Sequence, residues 1–329
     1  MFNLVYDIFK GENMDKKILD VAIIGGGPGG LTAGLYGSRA LMNIKLFEQL
    51  GVGGEAARTD VIENYPGFEQ PVNGMELMMK FNAQAERFGL EATYEEVLSL
   101  DLQDDIKKIE TTEGVHEAKS VIIATGTHHR TLDVPGEKEY AGQGVSYCAT
   151  CDGAFFRNQV VAVIGGGDSS VKEAIYLTRF ASKVYIIHRR KGFRAEKITM
   201  DMARKNEKIE FIVDTVVEEI SGTQQAGVTH VNLLNKLTKE KSKLDVNGVF
   251  IFVGMLPNTS EIIKEKDAKL ILDEAGYLKT DINMKTAIDG VYAIGDVRAH
   301  SKRQVAVAVG DAVTALMDAE QYIEQKFHS

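Results

Sequence analysis

Short, continuous runs of β-branched residues punctuate the chain, and most of them stop at glycine. Val21-Ala22-Ile23-Ile24 precedes Gly25-Gly26-Gly27, and Val161-Ala162-Val163-Ile164 precedes Gly165-Gly166-Gly167. An apolar run without polar alternation predicts a strand covered on both faces, as in a parallel sheet. A helical stretch and a second apolar run follow each glycine triplet: Ile44 to Phe47 in the first copy, Val184 to Ile187 in the second. Strand, glycines, helix and strand together predict a βαβ unit in each copy. Each copy later reaches a further strand that ends in glycine, Val121 to Gly126 and Val249 to Gly254.

The copies stand 140 residues apart, Val21 against Val161, and the correspondence runs on through Tyr36 against Tyr176 and Glu48 against His188. Two copies at one large separation are not a solenoid. They predict an α/β protein with two Rossmann-like dinucleotide-binding domains. The glycines that close the late strands mark where the chain is expected to pass between domains. Residues 1–126 and 256–329 would then form one discontinuous domain, with residues 127–255 inserted into it.

Composition narrows the class. A length of 329 residues suits two cores better than one. A net charge of -9 argues against nucleic acid or an anionic membrane as the main partner. No apolar run approaches the roughly 20 residues needed to span a bilayer. Phe2 to Phe9 is apolar but short, contains Asp7 and lacks a basic flank, so it reads poorly as a signal peptide. Met14 reads as a natural start, leaving residues 1–13 as an extension, and the expected location is the cytoplasm. The 2 cysteines, Cys148 and Cys151, are too few for a disulfide framework or a cysteine-rich zinc site. Their close spacing suggests redox work in a reducing compartment, and no metal is expected.

Gly25-x-Gly27-x-x-Gly30 lies between strand and helix, the context this fingerprint requires. Gly25 permits the tight turn, Gly27 lets the backbone approach a pyrophosphate, and Gly30 allows close helix–strand packing. The helix N-terminus then faces the anion. Glu48, ending the second strand, can accept hydrogen bonds from ribose hydroxyls. A solvated strand end is the plainer alternative. Near the C-terminus, Gly295-Asp296 closes another apolar run and is followed by Arg303-Gln304 and the small-residue stretch from Val305. Such a turn can aim a carboxylate at a polyol chain and bring a helix N-terminus close to a flat ring.

The second copy reads Gly165-x-Gly167-x-x-Ser170, with Asp168 and Ser169 between. Serine in place of the third glycine predicts a slightly wider helix–strand gap. At the position of Glu48 it carries His188-Arg189-Arg190, with Arg194 beyond. A carboxylate there would repel a 2′-phosphate, whereas guanidinium groups bind one in a bidentate fork. The first copy therefore suits a dinucleotide with free ribose hydroxyls, such as FAD, and the second suits NADPH.

Cys148-Ala149-Thr150-Cys151 lies just before the second fingerprint strand, and Asp152 follows. This spacing brings two sulfurs within disulfide reach and often lowers one thiol pKa. A structural dithiol is the bland alternative. Zinc would need two further ligands, and the 7 histidines do not cluster nearby.

These residues resemble the low-molecular-weight, bacterial-type thioredoxin reductases over about residues 19 to 323. The resemblance rests on Gly25 to Gly30 with Pro28, on Glu63-Asn64-Tyr65-Pro66-Gly67, on Ala124-Thr125-Gly126, on Gly144 to Gly153, on His188 to Arg194, and on Gly295-Asp296 with Arg303-Gln304. It implies an FAD-dependent homodimer that reduces thioredoxin with NADPH. By the same resemblance Cys151 faces the flavin, Cys148 attacks the protein substrate, and Asp152 is the general acid and base. Cysteine pair and nicotinamide site must both reach one flavin, so domain rotation about the two glycine-ended connections is expected. One departure stands out. After Gly53-Gly54 the family usually has glutamine and a threonine-rich stretch, whereas this chain has Glu55-Ala56-Ala57-Arg58. Three other readings compete. A flavin-dependent oxidase of a small dithiol metabolite would need no arginine cluster. A peroxidase-linked reductase would carry extra N-terminal redox domains. A flavin-binding sensor would need no Cys-x-x-Cys.

Overall fold

A computed structural model describes residues 18–59 and 62–328. Phe2 to Phe9 and Met14 lie outside the described residues, as does the side chain of Cys151. The first sheet runs in the order β3-β2-β1-β6-β5-β4. Its strands are β1 (Leu19–Ile24), β2 (Ile44–Glu48), β3 (Ala92–Tyr94), β4 (Val97–Asp101), β5 (Lys107–Thr111) and β6 (Gly114–Ile123). β1 pairs in parallel with both β2 and β6. Far along the chain, β17 (Val291–Ala293) returns to pair in parallel with the second half of β6.

The second sheet repeats the plan in the order β11-β10-β9-β15-β8. Its strands are β8 (Val145–Ser146), β9 (Val160–Ile164), β10 (Lys183–Ile187), β11 (Ile209–Ile212) and β15 (Gly248–Ile251). The central β9 pairs in parallel with β10 and β15. Between the sheets the chain passes twice, as β7 (Thr127–His129) and β16 (Met255–Pro257), which pair antiparallel as a two-stranded ribbon.

The continuous apolar runs are explained by what covers each sheet. Alternate residues of a strand point to opposite faces. Val21 and Ile23 pack with helices Pro28–Arg39 and Val305–Phe327, through Leu31, Ala312, Ala315 and Leu316. Ala22 and Ile24 turn the other way, against Leu100, Ile109 and Ile263. In the second sheet, Val161 and Val163 face helix Asp168–Leu177 through Val171 and Ala174. Ala162 and Ile164 face Val217, Val231 and Leu233. Those belong to an antiparallel layer of β12 (Thr215–Thr223), β13 (Gly227–Asn235) and β14 (Lys241–Asp245). β12 and β13 interleave buried with open positions and β14 is mostly exposed, so the apolar runs do not reveal the layer. Each fully buried Val or Ile contributes about 1.5–3 kcal/mol, which favours the unbroken apolar runs Val21 to Ile24 and Val161 to Ile164 at the sheet centres.

Candidate active site

Reversal of strand order beside β1 and beside β9 leaves a crevice at each strand's C-terminal end, the usual ligand position in such sheets. The first is a cavity of about 720 Å³. Gly25, Gly27 and Pro28 line it, with Glu48, Gly54, Glu55 and the Ala124-Thr125-Gly126 turn. Gly295, Asp296, Arg303, Gln304 and Val305 close it from the far side. A Cβ on Gly30 would lie 1.8 Å from the Gly25 carbonyl oxygen, so only glycine fits beneath the loop. A Cβ on Gly27 would meet nothing within 4 Å, which leaves the backbone open to a ligand. These features fit a dinucleotide pyrophosphate at the helix N-terminus.

Glu48 does more than expected. Its Oε2 accepts the Gly26 N–H at 2.7 Å and its Oε1 accepts the Leu50 N–H at 3.2 Å, so it braces the glycine loop as well as facing the cavity. Gly30 and Gly53 are buried behind the lining. Asn64 sits at the rim, where its Nδ2 donates to Gln304 Oε1 at 2.8 Å. Burial raises the Asp296 pKa, opposed by Arg303.

Two residues that the sequence reading passed over hold the Gly295-Asp296 turn. Asp311 accepts the Gly295 N–H at 3.1 Å, and it accepts from Arg298 Nε and Nη2, each at 3.0 Å. No local motif links positions 295, 298 and 311. Their meeting depends on how helix Val305–Phe327 packs back on the turn.

The second cavity, about 660 Å³, is lined by Gly165, Gly167, Asp168, Ser169, Ser170, His188, Arg189 and Arg194. Arg190 is exposed and does not line it. Here too a Cβ on Gly167 would meet nothing within 4 Å. Ser170 is 1% exposed and its hydroxyl donates to the Gly167 carbonyl at 2.7 Å. A side chain therefore fits where the first copy admits only glycine. His188 packs its ring on Phe193 at 5.0 Å. Burial lowers its pKa, and Arg189, Arg190 and Arg194 push it the same way, which leaves the guanidinium groups as the cations of this cleft. Arg303 lines both cavities and donates to the Tyr277 hydroxyl at 2.7 Å.

The cysteine turn lies at the edge of the first cavity. Cys148 is disulfide-bonded and lies in the turn that enters the short helix Ala149–Asp152, whose backbone includes Cys151. Cys148 Sγ lies 3.7 Å from the carbonyl oxygen of Arg58, and Arg58 lines that cavity. A disulfide sulfur carries no proton, so this is a packing contact. Asp152 is half-buried and its N–H donates to the Cys148 carbonyl at 3.2 Å.

Glu55 forms a further link. It pairs with Arg58 at 3.1 Å and with His129 on β7 at 3.6 Å, and His129 followed by Arg58 holds its carboxyl below the usual range. Glu173 is a further residue that no sequence motif marks. One of its oxygens is buried without a partner, and burial pushes its pKa up to about 7. Among the described residues no group of acidic, histidine or cysteine side chains could hold a metal ion. No described helix is long and apolar enough to cross a membrane.

Two dinucleotide clefts with a disulfide at the edge of one define a nucleotide-linked disulfide oxidoreductase. Residues 19–312 match the family model described as pyridine nucleotide-disulphide oxidoreductase. A thioredoxin reductase of Peptoclostridium litorale is 43% identical over 318 residues, covering 95% of this chain and 99% of the relative. A bifunctional thioredoxin reductase/thioredoxin of Mycobacterium leprae is 44% identical over 312 residues, 94% of this chain and 67% of the relative. The crystal structure of Lactococcus lactis thioredoxin reductase superimposes with a TM-score of 0.85 at 46% identity, covering 93% of this chain and 99% of that one. The chain belongs to the pyridine nucleotide-disulphide oxidoreductases and, within them, to the thioredoxin reductases, the disulfide reductases that use FAD and NADPH.

Proposed function

We propose that this chain reduces thioredoxin, with FAD held in the first cleft, NADPH in the second, and electrons leaving through Cys148 and Cys151. The observation that carries the reading is the contact of Cys148 with the Arg58 carbonyl, which lines the first cleft. When bound, the two cofactors supply a hydride, and with one proton this converts the disulfide to a dithiol. Cys151 takes the flavin-side position and Cys148 the outer one. Asp152 holds the exchanged proton. The Cys148 thiolate then attacks the thioredoxin disulfide, and Cys151 resolves the mixed disulfide, which returns the enzyme disulfide and releases thioredoxin dithiol. Arg189 and Arg194, which line the second cleft, select the 2′-phosphate, while Glu48, Gly53, Gly54, Asn64 and Asp296 shape the flavin site.

In this reading residues 1–126 and 256–329 form the FAD domain and residues 127–255 the NADPH domain. Cysteine pair and nicotinamide share the inserted domain, so they take turns at the flavin by rotation about β7 and β16. The working form is a cytoplasmic homodimer. Assay of purified protein with NADPH, NADH and the thioredoxins of its own cell tests the reading. Rapid NADPH-dependent thioredoxin reduction is expected. Oxygen-dependent closure of a small dithiol, with no use of NADPH, would favour the oxidase alternative, against which the arginines of the second cleft speak.

A further inference from the structure

Tyr147 directly precedes Cys148 and is held from two sides. Its hydroxyl donates to Glu137 Oε1 at 2.7 Å. Its ring stacks on His129, with centroids 6.1 Å apart and planes at 28°. Glu137 is itself immobilised. It is 1% exposed, and its carboxylate accepts the N–H of Leu132 at 2.9 and 3.0 Å and that of Asp133 at 2.7 Å. Leu132 and Asp133 form part of the wall of the second cleft. His129 reaches the opposite way, to Glu55 at 3.6 Å, and Glu55 lines the first cleft.

One aromatic side chain therefore stands between the wall of the second cleft, the crossing strand β7, and the loop on which Cys148 rests. A tyrosine ring has few rotamers, so anchoring both of its ends fixes the backbone that carries it. A hydrogen bond to a buried carboxylate is stronger than one between neutral groups. Glu137 already has three backbone contacts and cannot follow Tyr147 if the turn moves. Burial, followed by the bond to Glu137, raises the Tyr147 pKa, so the phenol keeps its proton and remains a donor.

We infer that Tyr147, clamped between Glu137 and His129, is a positioning residue that sets the redox turn against the short helix Gly54–Ala57 and its C-terminal Arg58, and so governs electron delivery to the disulfide. The inference rests on the proposed function of the Cys148–Cys151 pair. Its test uses the FAD-loaded full chain and two readouts. One is the long-wavelength absorbance, per bound FAD, of Cys148→Ser, which reports a Cys151 thiolate against the flavin. The other is the single-turnover rate at which NADPH-reduced enzyme passes electrons to its own disulfide.

Tyr147→Phe keeps the ring on His129 and removes only the hydroxyl. It is expected to lower the band at least twofold in the Cys148→Ser background and to slow the disulfide step at least fivefold. FAD content and the NADPH KM are expected to stay within twofold, a split that a general loss of structure would not give. His129→Ala, which leaves the hydroxyl but removes the stacking partner, is expected to act in the same direction. If Cys148→Ser alone shows no band while Tyr147→Phe still slows the disulfide step, the assignment of Cys151 fails and the positioning role stands. If Tyr147→Phe and His129→Ala both leave the disulfide step at its original rate, the positioning role is overturned.

Discussion

At the scale of single residues, Arg189, Arg190 and Arg194 are not equivalent. Arg189 and Arg194 line it and Arg190 does not. A charge-assisted hydrogen bond to a 2′-phosphate contributes about 1.5–3 kcal/mol, roughly a 10- to 150-fold change in affinity. Arg189→Ala is therefore expected to raise the NADPH KM by about that factor, with NADH little affected and Arg190→Ala clearly milder. Equal losses for both variants in steady-state kinetics would contradict the geometry. The two cysteines are also expected to fail differently. Either Cys→Ser change abolishes thioredoxin reduction, yet Cys151→Ser leaves Cys148 able to trap thioredoxin as a mixed disulfide. Trapping by Cys148→Ser instead would reverse the roles.

Glu173 gives a residue-scale prediction in pH. Burial raises its folded pKa to about 7, above the ordinary 4.5, and its buried oxygen has no partner. The folded state therefore holds a proton that the unfolded state has released. This contribution is fully present below pH 4.5 and is lost as pH rises through about 7. Glu173→Gln removes the titration and is expected to gain about 2–3 kcal/mol over the parent above pH 7. Denaturant unfolding at several pH values, with FAD saturating, measures it. A gain that does not grow with pH would show that the carboxyl is ionised without cost.

At the scale of elements, the two strand–turn–helix units differ in one contact. In the first, a Cβ at position 30 collides with the Gly25 carbonyl. Gly30→Ser is therefore expected to push helix Pro28–Arg39 off β1 and to yield protein that retains little FAD. In the second, Ser170 already fills the equivalent place, buried and bonded to the Gly167 carbonyl at 2.7 Å. Ser170→Ala should then cost only about 1 kcal/mol and leave NADPH binding near normal. Comparable damage from both changes, measured by bound FAD and by NADPH titration, would mean that the two loops are packed alike.

At the scale of the whole molecule, the ribbon of β7 and β16 joins the two sheets, and Gly254 lies at its mouth with φ of +128°. L side chains rarely adopt that conformation, although a Cβ there would meet nothing within 4 Å. Gly254→Ala would therefore strain the crossing without clashing with any protein atom, at a position that also lines the second cleft. A lower kcat is expected, with FAD content unchanged and flavin reduction by NADPH still complete. An unaltered kcat would remove this glycine from the path of the proposed rotation. One long-range feature already ties the crossing to the first cleft, the contact of His129 with Glu55, where the family usually has glutamine.

The sequence by itself determined what is written in contiguous residues. The glycine fingerprints, the acid or arginines at the end of the second strand, and the cysteine turn are each set by a few neighbours. Their backbone chemistry is local, so the two-cleft plan and the redox pair were legible. Tertiary structure decided everything that depends on chain segments meeting from far apart. The antiparallel layer β12–β14 hides in half-buried alternation. Arg298 and Asp311 brace the Gly295 turn only because a long helix folds back on it. Arg303 joins both clefts, Arg190 leaves one, and Tyr147 meets Glu137 and His129 across three separate segments. No spacing rule encodes these contacts, because side-chain partnership at long range follows from how the sheets and their covering layers pack.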